Sequence, residues 1–326
     1  VSSMRLGFSL GSLLSVEEIF DCAKALNKYS ADSIWIPETW GMDCSSILSG
    51  ISNVSKTPKL GSSIINIYSR SPALIAMSAV TIDTLSNGRF ILGLGTSSKS
   101  IIEDWHGFEF KNPLQRMREY VKIIRLIVSG EKISYKGEFY NLKNFGLLIT
   151  PPRKEIPIYL AAINEKMVNL TWEIANGVIF YLRPLQELKN TIKKMQSKKK
   201  IDVACQLITC VSEDSEKAIT RSKQTIAFYV SVGKIYREFL ASNGFQNETV
   251  EIFEAYKKNG LKNNYELVTD DMMNSLSISG TPEDIRKKIL QFVDVGVDLP
   301  ILQFNPVGNV RESFELLTRT LASDMT

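Results

Sequence analysis

The chain has 326 residues, of which 44% are hydrophobic and 23% charged, with a formal net charge of +4. This is ordinary globular composition, and no stretch reaches the ~18 consecutive apolar residues that a membrane-spanning helix needs. A single histidine, His106, rules out His-rich metal centres, and no Ser sits in a G-x-S-x-G elbow, so chemistry is expected from a bound cofactor with no metal.

Taken in chain order, strand-length apolar runs alternate with helical patterns. Arg5–Leu10 (RLGFSL) is the first such run. Ser15 and Glu18 form a capping box, followed by Ile19, Phe20, Ala23 and Leu26 at helical spacing. Ser33–Pro37 (SIWIP) is the second strand, with a helix from about Asp43, and Leu60–Asn66 (LGSSIIN) is the third strand. Ser71 and Pro72 predict N-cap and N1 of the next helix, with Gly88 as its C′ residue. Arg89–Leu94 is the fourth strand. A helix near Leu114–Ser129 stopped by Gly130 and a hairpin turning at Lys136-Gly137 follow.

Pro157–Ala161, Val178–Tyr181 and Val203–Thr209 read as three more strands, and Asn164 as the N-cap of the helix after the first of them. Residues 215 to about 275 read as helical. Thr281 to Asp284 then cap a helix that Gly296 stops, and Pro300–Phe304 is the eighth strand.

Six lysines, from Lys189 to Lys200, fall within twelve residues without interleaved aromatics. They read as a solvated helix end, so no nucleic-acid partner and no membrane partner is expected. Val1–Gly11 lacks a signal-like apolar core, and Cys22, Cys44, Cys205 and Cys210 form no CxxC pair. A cytoplasmic chain with buried, reduced thiols is the expectation.

Gly93-Leu94-Gly95 resembles part of a dinucleotide-binding fingerprint. It follows the fourth strand, however, and Ser98 stands at the third glycine position; a Rossmann fingerprint belongs on the first strand of its unit. Eight βα units close more naturally into a (β/α)8 barrel. The expectation is a single barrel domain over residues 1–326, with insertions near 96–155 and 211–280.

The segments WIPETWGMDCSSIL, LGSSIINIYSRSPALIAMSAVTIDTLSNGRFILGLG, WHGFEFKNPLQRMREYV, IPIYLAA and SGTPEDIRKKILQFVDVGVDLPILQF resemble the luciferase-like flavin and deazaflavin oxidoreductases. Within that superfamily they are most similar to the coenzyme F420-dependent branch that includes methylenetetrahydromethanopterin reductase-like proteins. The resemblance implies a TIM barrel, F420 (or FMN) as cofactor, a small-molecule substrate, and a homodimer. It implies a non-prolyl cis peptide between Ser63 and Ile64 behind the cofactor ring. Gly95, Thr96, Ser97, Ala161, Ala162 and Asn164 would lie near the cofactor phosphate, with Asn66, Glu38 and Thr39 also contributing to the cofactor site.

Glu38 is the candidate proton donor, or else a helix cap or ion-pair partner. Arg70 would reach a cofactor tail or hold its loop. Trp40 would wall the pocket or belong to the core. His106 would line the substrate mouth, or by default face solvent or the core. Two familiar proton-handling groups are missing: the reductase-like glutamate at the end of the first strand is Ser9 here, and a histidine found after the second strand in another branch is Thr39. Two rivals follow, an FMN-dependent luciferase-like monooxygenase and a non-catalytic flavin-binding barrel.

Overall fold

Eight parallel strands close on themselves in a computed structural model that describes residues 4–326. In chain order the first half comprises β1 (Gly7–Ser9), α1 (Val16–Ala25), β2 (Ser33–Ile36), α2 (Cys44–Val54), β3 (Lys59–Ser62), β4 (Ile65–Asn66), α3 (Pro72–Leu85), β5 (Phe90–Gly95) and α4 (Pro113–Val128). The hairpin β6 (Ile133–Lys136) and β7 (Asn141–Phe145) precedes β8 (Ile158–Ala161), α5 (Glu165–Ile174), β9 (Gly177–Tyr181), α6 (Leu185–Gln196) and β10 (Asp202–Val211). Four helices follow, α7 (Ser215–Val232), α8 (Lys234–Leu240), α9 (Gln246–Asn259) and α10 (Asp270–Leu276). The chain ends with β11 (Ser277–Gly280), α11 (Pro282–Asp294), β12 (Leu299–Phe304) and α12 (Val310–Thr320).

The barrel order is β1-β2-β3-β5-β8-β9-β10-β12, and β12 returns to β1. All of these pairings are parallel. Gly93-x-Gly95 therefore lies on the fourth barrel strand, and the (β/α)8 expectation holds.

Local signals explain most element starts. Glu18 N–H donates to Ser15 Oγ at 3.1 Å while Ser15 N–H donates to Glu18 Oε1 at 2.9 Å. Asp43, Ser71 and Asn164 cap α2, α3 and α5 by accepting from amides one turn ahead. Three details differ from expectation. First, α3 ends at Leu85, so Asn87 (φ 54°) takes the C′ place assigned to Gly88, and Gly88 (φ 76°) follows it. Asn tolerates the left-handed region well enough to do this. Second, the run 60–66 is split into β3 and β4. Third, β11 escaped sequence reading because Ile278 is the one apolar residue in Ser277–Gly280; it pairs with the C-terminal end of β10, beyond the point where β10 leaves β9.

Inward-facing residues alternate along the strands, as a pleat of period two requires. Trp35, Ile91, Tyr159, Ile179, Ala204, Leu299 and Ile301 fill the barrel. A polar network lies towards its N-terminal face. Arg5 donates to both oxygens of Asp202 at 2.7 and 2.9 Å and to Asp32 at 3.1 Å, and the Tyr159 hydroxyl also donates to Asp202. Burial works against charge on Asp202, but the bonds from Arg5 and Tyr159 outweigh it and hold its carboxyl below the usual range. Conserving the barrel shape, rather than chemistry, is the role of that face in such folds.

A second brace fixes the approach to β5. Asp83 on α3 is fully buried and accepts from Arg153 at 2.7 and 3.0 Å and from Phe90 N–H at 3.1 Å. Removing one partner of a buried pair leaves an uncompensated charge. Arg153→Met is expected to cost about 3 kcal/mol in urea denaturation. A loss under about 1 kcal/mol would mean that Asp83 is adequately held by other donors.

The four cysteines are buried and free. No helix among the described residues is long and apolar enough to cross a membrane. All six lysines of the 189–200 run are solvent-exposed.

Candidate active site

The C-terminal ends of the barrel strands open into a cleft of about 1910 Å³. This is the end at which loops, rather than the packed barrel, can vary in chemistry. Its floor has two unlike halves, and each follows from which residue the strand pleat turns inward last.

One half is formed by β3, β5 and β8, and is built from small residues. Ser62 closes β3 in an unusual way. Its Oγ accepts from Gly93 N–H at 2.8 Å and donates to Gly93 O at 2.8 Å, so a side chain continues the contact between β3 and β5 where their backbone pairing at Leu60 and Gly61 ends. The next peptide, Ser63-Ile64, is cis, as the resemblance implied. β4 then rejoins β5, with Ile65 opposite Leu94 and Asn66 opposite Gly95. The Ile64 side chain lies directly over Gly95: a Cβ added there would meet Ile64 Cδ1 at 2.6 Å. Ala161 of β8 flanks the same spot. The result is an apolar wall with open space in front of it. Beside it, Ser63 Oγ is buried and has no hydrogen-bond partner among the described residues.

The loops above this half carry donors. Thr96 and Ser97 follow Gly95 and line the cleft, and Ser97 adopts φ 59°. Ala161, Ala162 and Asn164 line it as well. Asn164 accepts from Met167 N–H at 2.9 Å, which sets the N-terminal end of α5 at the cleft. Such an end presents backbone N–H groups and suits an anion.

Glu38 and Thr39 follow β2 and also line the cleft. Both Glu38 oxygens are occupied. Oε1 accepts from Arg70 at 2.6 Å, and Oε2 accepts from Arg70 at 2.9 Å and from Cys44 N–H at 2.9 Å. Arg70 also reaches Asp43 at 3.1 Å. Partial burial opposes charge on Asp43, but hydrogen bonds from Ser46 and Ser45, together with Arg70, hold its carboxyl below the usual range. Arg70 thus ties the loop after β2 to the loop before α3. Asn66 is the predicted site residue that the structure places elsewhere. It is not among the cleft-lining residues, and its Oδ1 accepts from Tyr68 and Ser69 N–H at 3.0 and 2.8 Å, closing an Asx turn. His106 is exposed and ends a short π turn, outside the cleft lining.

The other half of the floor is polar, and of its residues only Ser9 was singled out in the sequence. It comprises Ser9 of β1, Tyr181 of β9, Gln206 of β10 and Gln303 of β12. Tyr181 donates to Gln303 Oε1 at 2.8 Å. A signal was present: each glutamine interrupts an apolar run, Gln206 in the middle of β10 and Gln303 near the C-terminal end of β12. Above the floor, Trp40 packs edge-on against Trp105 and Phe228, with ring centroids 5.5 and 5.8 Å apart. Three separate segments thereby supply aromatic groups to the cleft wall. Trp40 is 53% exposed, so it walls the pocket and is not core.

The profile of the family described as luciferase-like monooxygenase matches residues 4–299. The chain belongs to that family. The 5,10-methylenetetrahydromethanopterin reductase of Archaeoglobus fulgidus is 28% identical over 331 residues, which cover 98% of each chain. A putative coenzyme F420-dependent oxidoreductase of Mycobacterium tuberculosis is 26% identical over 340 residues, covering 95% of this chain and 98% of that one. Among solved structures, the coenzyme F420-dependent tetrahydromethanopterin reductase of Methanopyrus kandleri superposes with a TM-score of 0.88 over 100% of both chains at 22% identity. That likeness fixes the shared luciferase-like barrel.

Proposed function

We propose that this luciferase-like protein is a coenzyme F420-dependent oxidoreductase that moves a hydride between the deazaflavin and a small organic substrate. The carrying observation is the small-residue half of the cleft floor, where the Ile64 side chain stands over Gly95 beside Ala161 and lines the cleft. A planar ring against Ile64 would bury apolar surface there. The two relatives whose names invoke or accompany F420 chemistry support the choice of cofactor.

In this reading the cofactor supplies the hydride chemistry, and the protein supplies position. Ile64 backs the ring. Gly95 leaves the space that Ile64 needs. Thr96, Ser97 and the amides at the start of α5 take the phosphate. Arg70, through Glu38 and Asp43, holds the loop carrying Thr39 and Trp40. Glu38 is a positioning residue in this assignment, because both of its oxygens already accept bonds. The aromatic groups on the wall limit water around the reacting atoms.

Titrating the apoprotein separately with F420 and FMN, followed by cofactor fluorescence, tests the proposal. The expected result is F420 affinity at least about tenfold tighter, or ~1.4 kcal/mol, with oxidation or reduction of bound F420 by a substrate. Tight FMN binding without F420 binding would select the monooxygenase reading. Bound cofactor whose redox state never changes with any donor or acceptor would select the non-catalytic barrel.

A further inference from the structure

The polar half of the floor has no role in holding the cofactor as assigned above. Its four residues come from adjacent strands. Gln206 stands opposite Tyr181 on one side and Ile301 on the other, and Gln303 stands opposite Ser9 and Ile208. Gln206 is 6% exposed, lines the cleft, and has no side-chain hydrogen-bond partner among the described residues. A cleft-lining amide that no protein group pairs with is free to bond a molecule that enters.

Gln303 is more constrained. Its Oε1 accepts the Tyr181 hydroxyl. With Oε1 facing Tyr181, Nε2 is left as a donor with no protein partner among the described residues. Tyr181 is well placed for this task, since burial raises its pKa far above the ordinary value and keeps the proton on the phenol. The charged residues lining the cleft sit on loops and helices, and β1, β9, β10 and β12 contribute none to the lining.

A floor of neutral donors without a free acid favours one kind of acceptor. Hydride addition to a simple ketone leaves an alkoxide, which needs an acid at hand. Addition to the β-carbon of a conjugated carbonyl leaves an enolate, a far weaker base that neutral amide N–H groups can hold. We infer that Gln303, oriented by Tyr181, and Gln206 bind the carbonyl oxygen of an uncharged α,β-unsaturated carbonyl substrate.

The inference rests on the hydride-transfer reading above. In the reducing direction, hydride from the reduced deazaflavin forms a C–H bond at the β-carbon. The C=C π pair shifts to become the enolate C=C, and the carbonyl π pair moves onto oxygen, where the two amides hold it. Loss of the hydride leaves the deazaflavin oxidised; the α-carbon then takes a proton from water, the carbonyl re-forms, and the hydroxide left behind is neutralised by the proton that the reduced deazaflavin gives up. Gln206 and Gln303 touch substrate; Tyr181 is a positioning residue.

The test uses the F420-loaded full chain and 2-cyclohexen-1-one labelled with 13C at the carbonyl. Binding should move the carbonyl resonance downfield, as donors polarise the C=O bond. Gln303→Leu and Gln206→Leu should each reduce that shift and lower kcat/KM at least about tenfold. Gln303→Glu, which is isosteric but presents acceptors, should lower kcat/KM about 100-fold while F420 affinity stays within about twofold of wild type. Tyr181→Phe should raise KM more than it lowers kcat, because it frees the amide to turn.

Saturated cyclohexanone should be a markedly poorer substrate than the enone. Three results would overturn the inference: no carbonyl shift in the wild type, Gln303 variants indistinguishable from it, or cyclohexanone turned over as fast as the enone. Tight binding of FMN without F420 overturns the hydride-transfer reading, and this inference with it. Binding of neither cofactor overturns the hydride-transfer reading and this inference together. Thermal melts of each variant separate misfolding from loss of recognition.

Discussion

Gly93→Ala should destabilise the barrel by at least about 3 kcal/mol, among the larger effects of a single substitution. A Cβ at this position would stand 1.7 Å from Ser62 O. The obstacle is backbone, so no rotamer change relieves it; β3 and β5 would have to separate. Separation would break the two bonds between Ser62 Oγ and the Gly93 main chain. It would also disturb the segment that brings Ser63 and Ile64 to the cleft. Gly146→Ala is the control. Its added Cβ would make ordinary contacts with Lys132 at 3.4 to 3.6 Å, and a change within about 0.5 kcal/mol is expected. Chemical denaturation of both variants checks the pair. Equal stabilities would mean that the strand seam yields more easily than close packing allows.

Gly95→Asp has the largest expected effect on cofactor binding. Two terms act together. The new Cβ pushes on Ile64 Cδ1, 2.6 Å away, and the carboxylate adds negative charge where an anionic cofactor is proposed to sit. Gly95→Asn supplies nearly the same bulk without charge. Relative to wild type, F420 affinity should fall about tenfold for Asn and about 100-fold for Asp, steps of ~1.4 kcal/mol each. Fluorescence titration gives both constants. Equal losses would assign the whole effect to displacement of Ile64 and move the phosphate elsewhere. Unchanged affinity in both variants would remove Gly95 from the cofactor site. Because Ile64 packs so closely, thermal melts must accompany the titrations; the fold is expected to persist with a lowered Tm.

Gly93 and Gly95 illustrate how differently two glycines in one motif can act. The Gly-x-Gly pattern first suggests a phosphate loop. In the structure Gly93 is required by a neighbouring strand and Gly95 by the isoleucine wall, and only the residues after them are placed to meet an anion. A short motif records that backbone approaches closely. It does not record what approaches it.

The alternation of apolar runs and capped helices determined the eight-stranded barrel, because strand periodicity and helix termini are local properties. Ser15, Asp43, Ser71 and Asn164 cap helices in the structure, as their positions in the sequence suggest. The same locality explains the errors. Asn87 rather than Gly88 takes the C′ position because the helix stops one residue earlier, and β11, with Ile278 as its one apolar residue, carries no apolar run to announce it.

The small-residue half of the site was legible through contiguous segments around Ser63, Gly95 and Ala161. Asn66 fell within one of them but turns its side chain into a local Asx turn. The polar half was decided by tertiary structure alone. Ser9 ends its strand and the two glutamines interrupt apolar runs, but nothing in those separate segments says that they meet Tyr181 or one another. Barrel closure makes β9, β10, β12 and β1 neighbours, and the pleat turns these four side chains to one surface. Glu38 shows the converse. Its position at a strand end marks it for chemistry, whereas its partner Arg70, 32 residues away, fixes it as a brace. Local sequence sets which elements form; the pairing of distant elements sets which side chains are left facing a ligand.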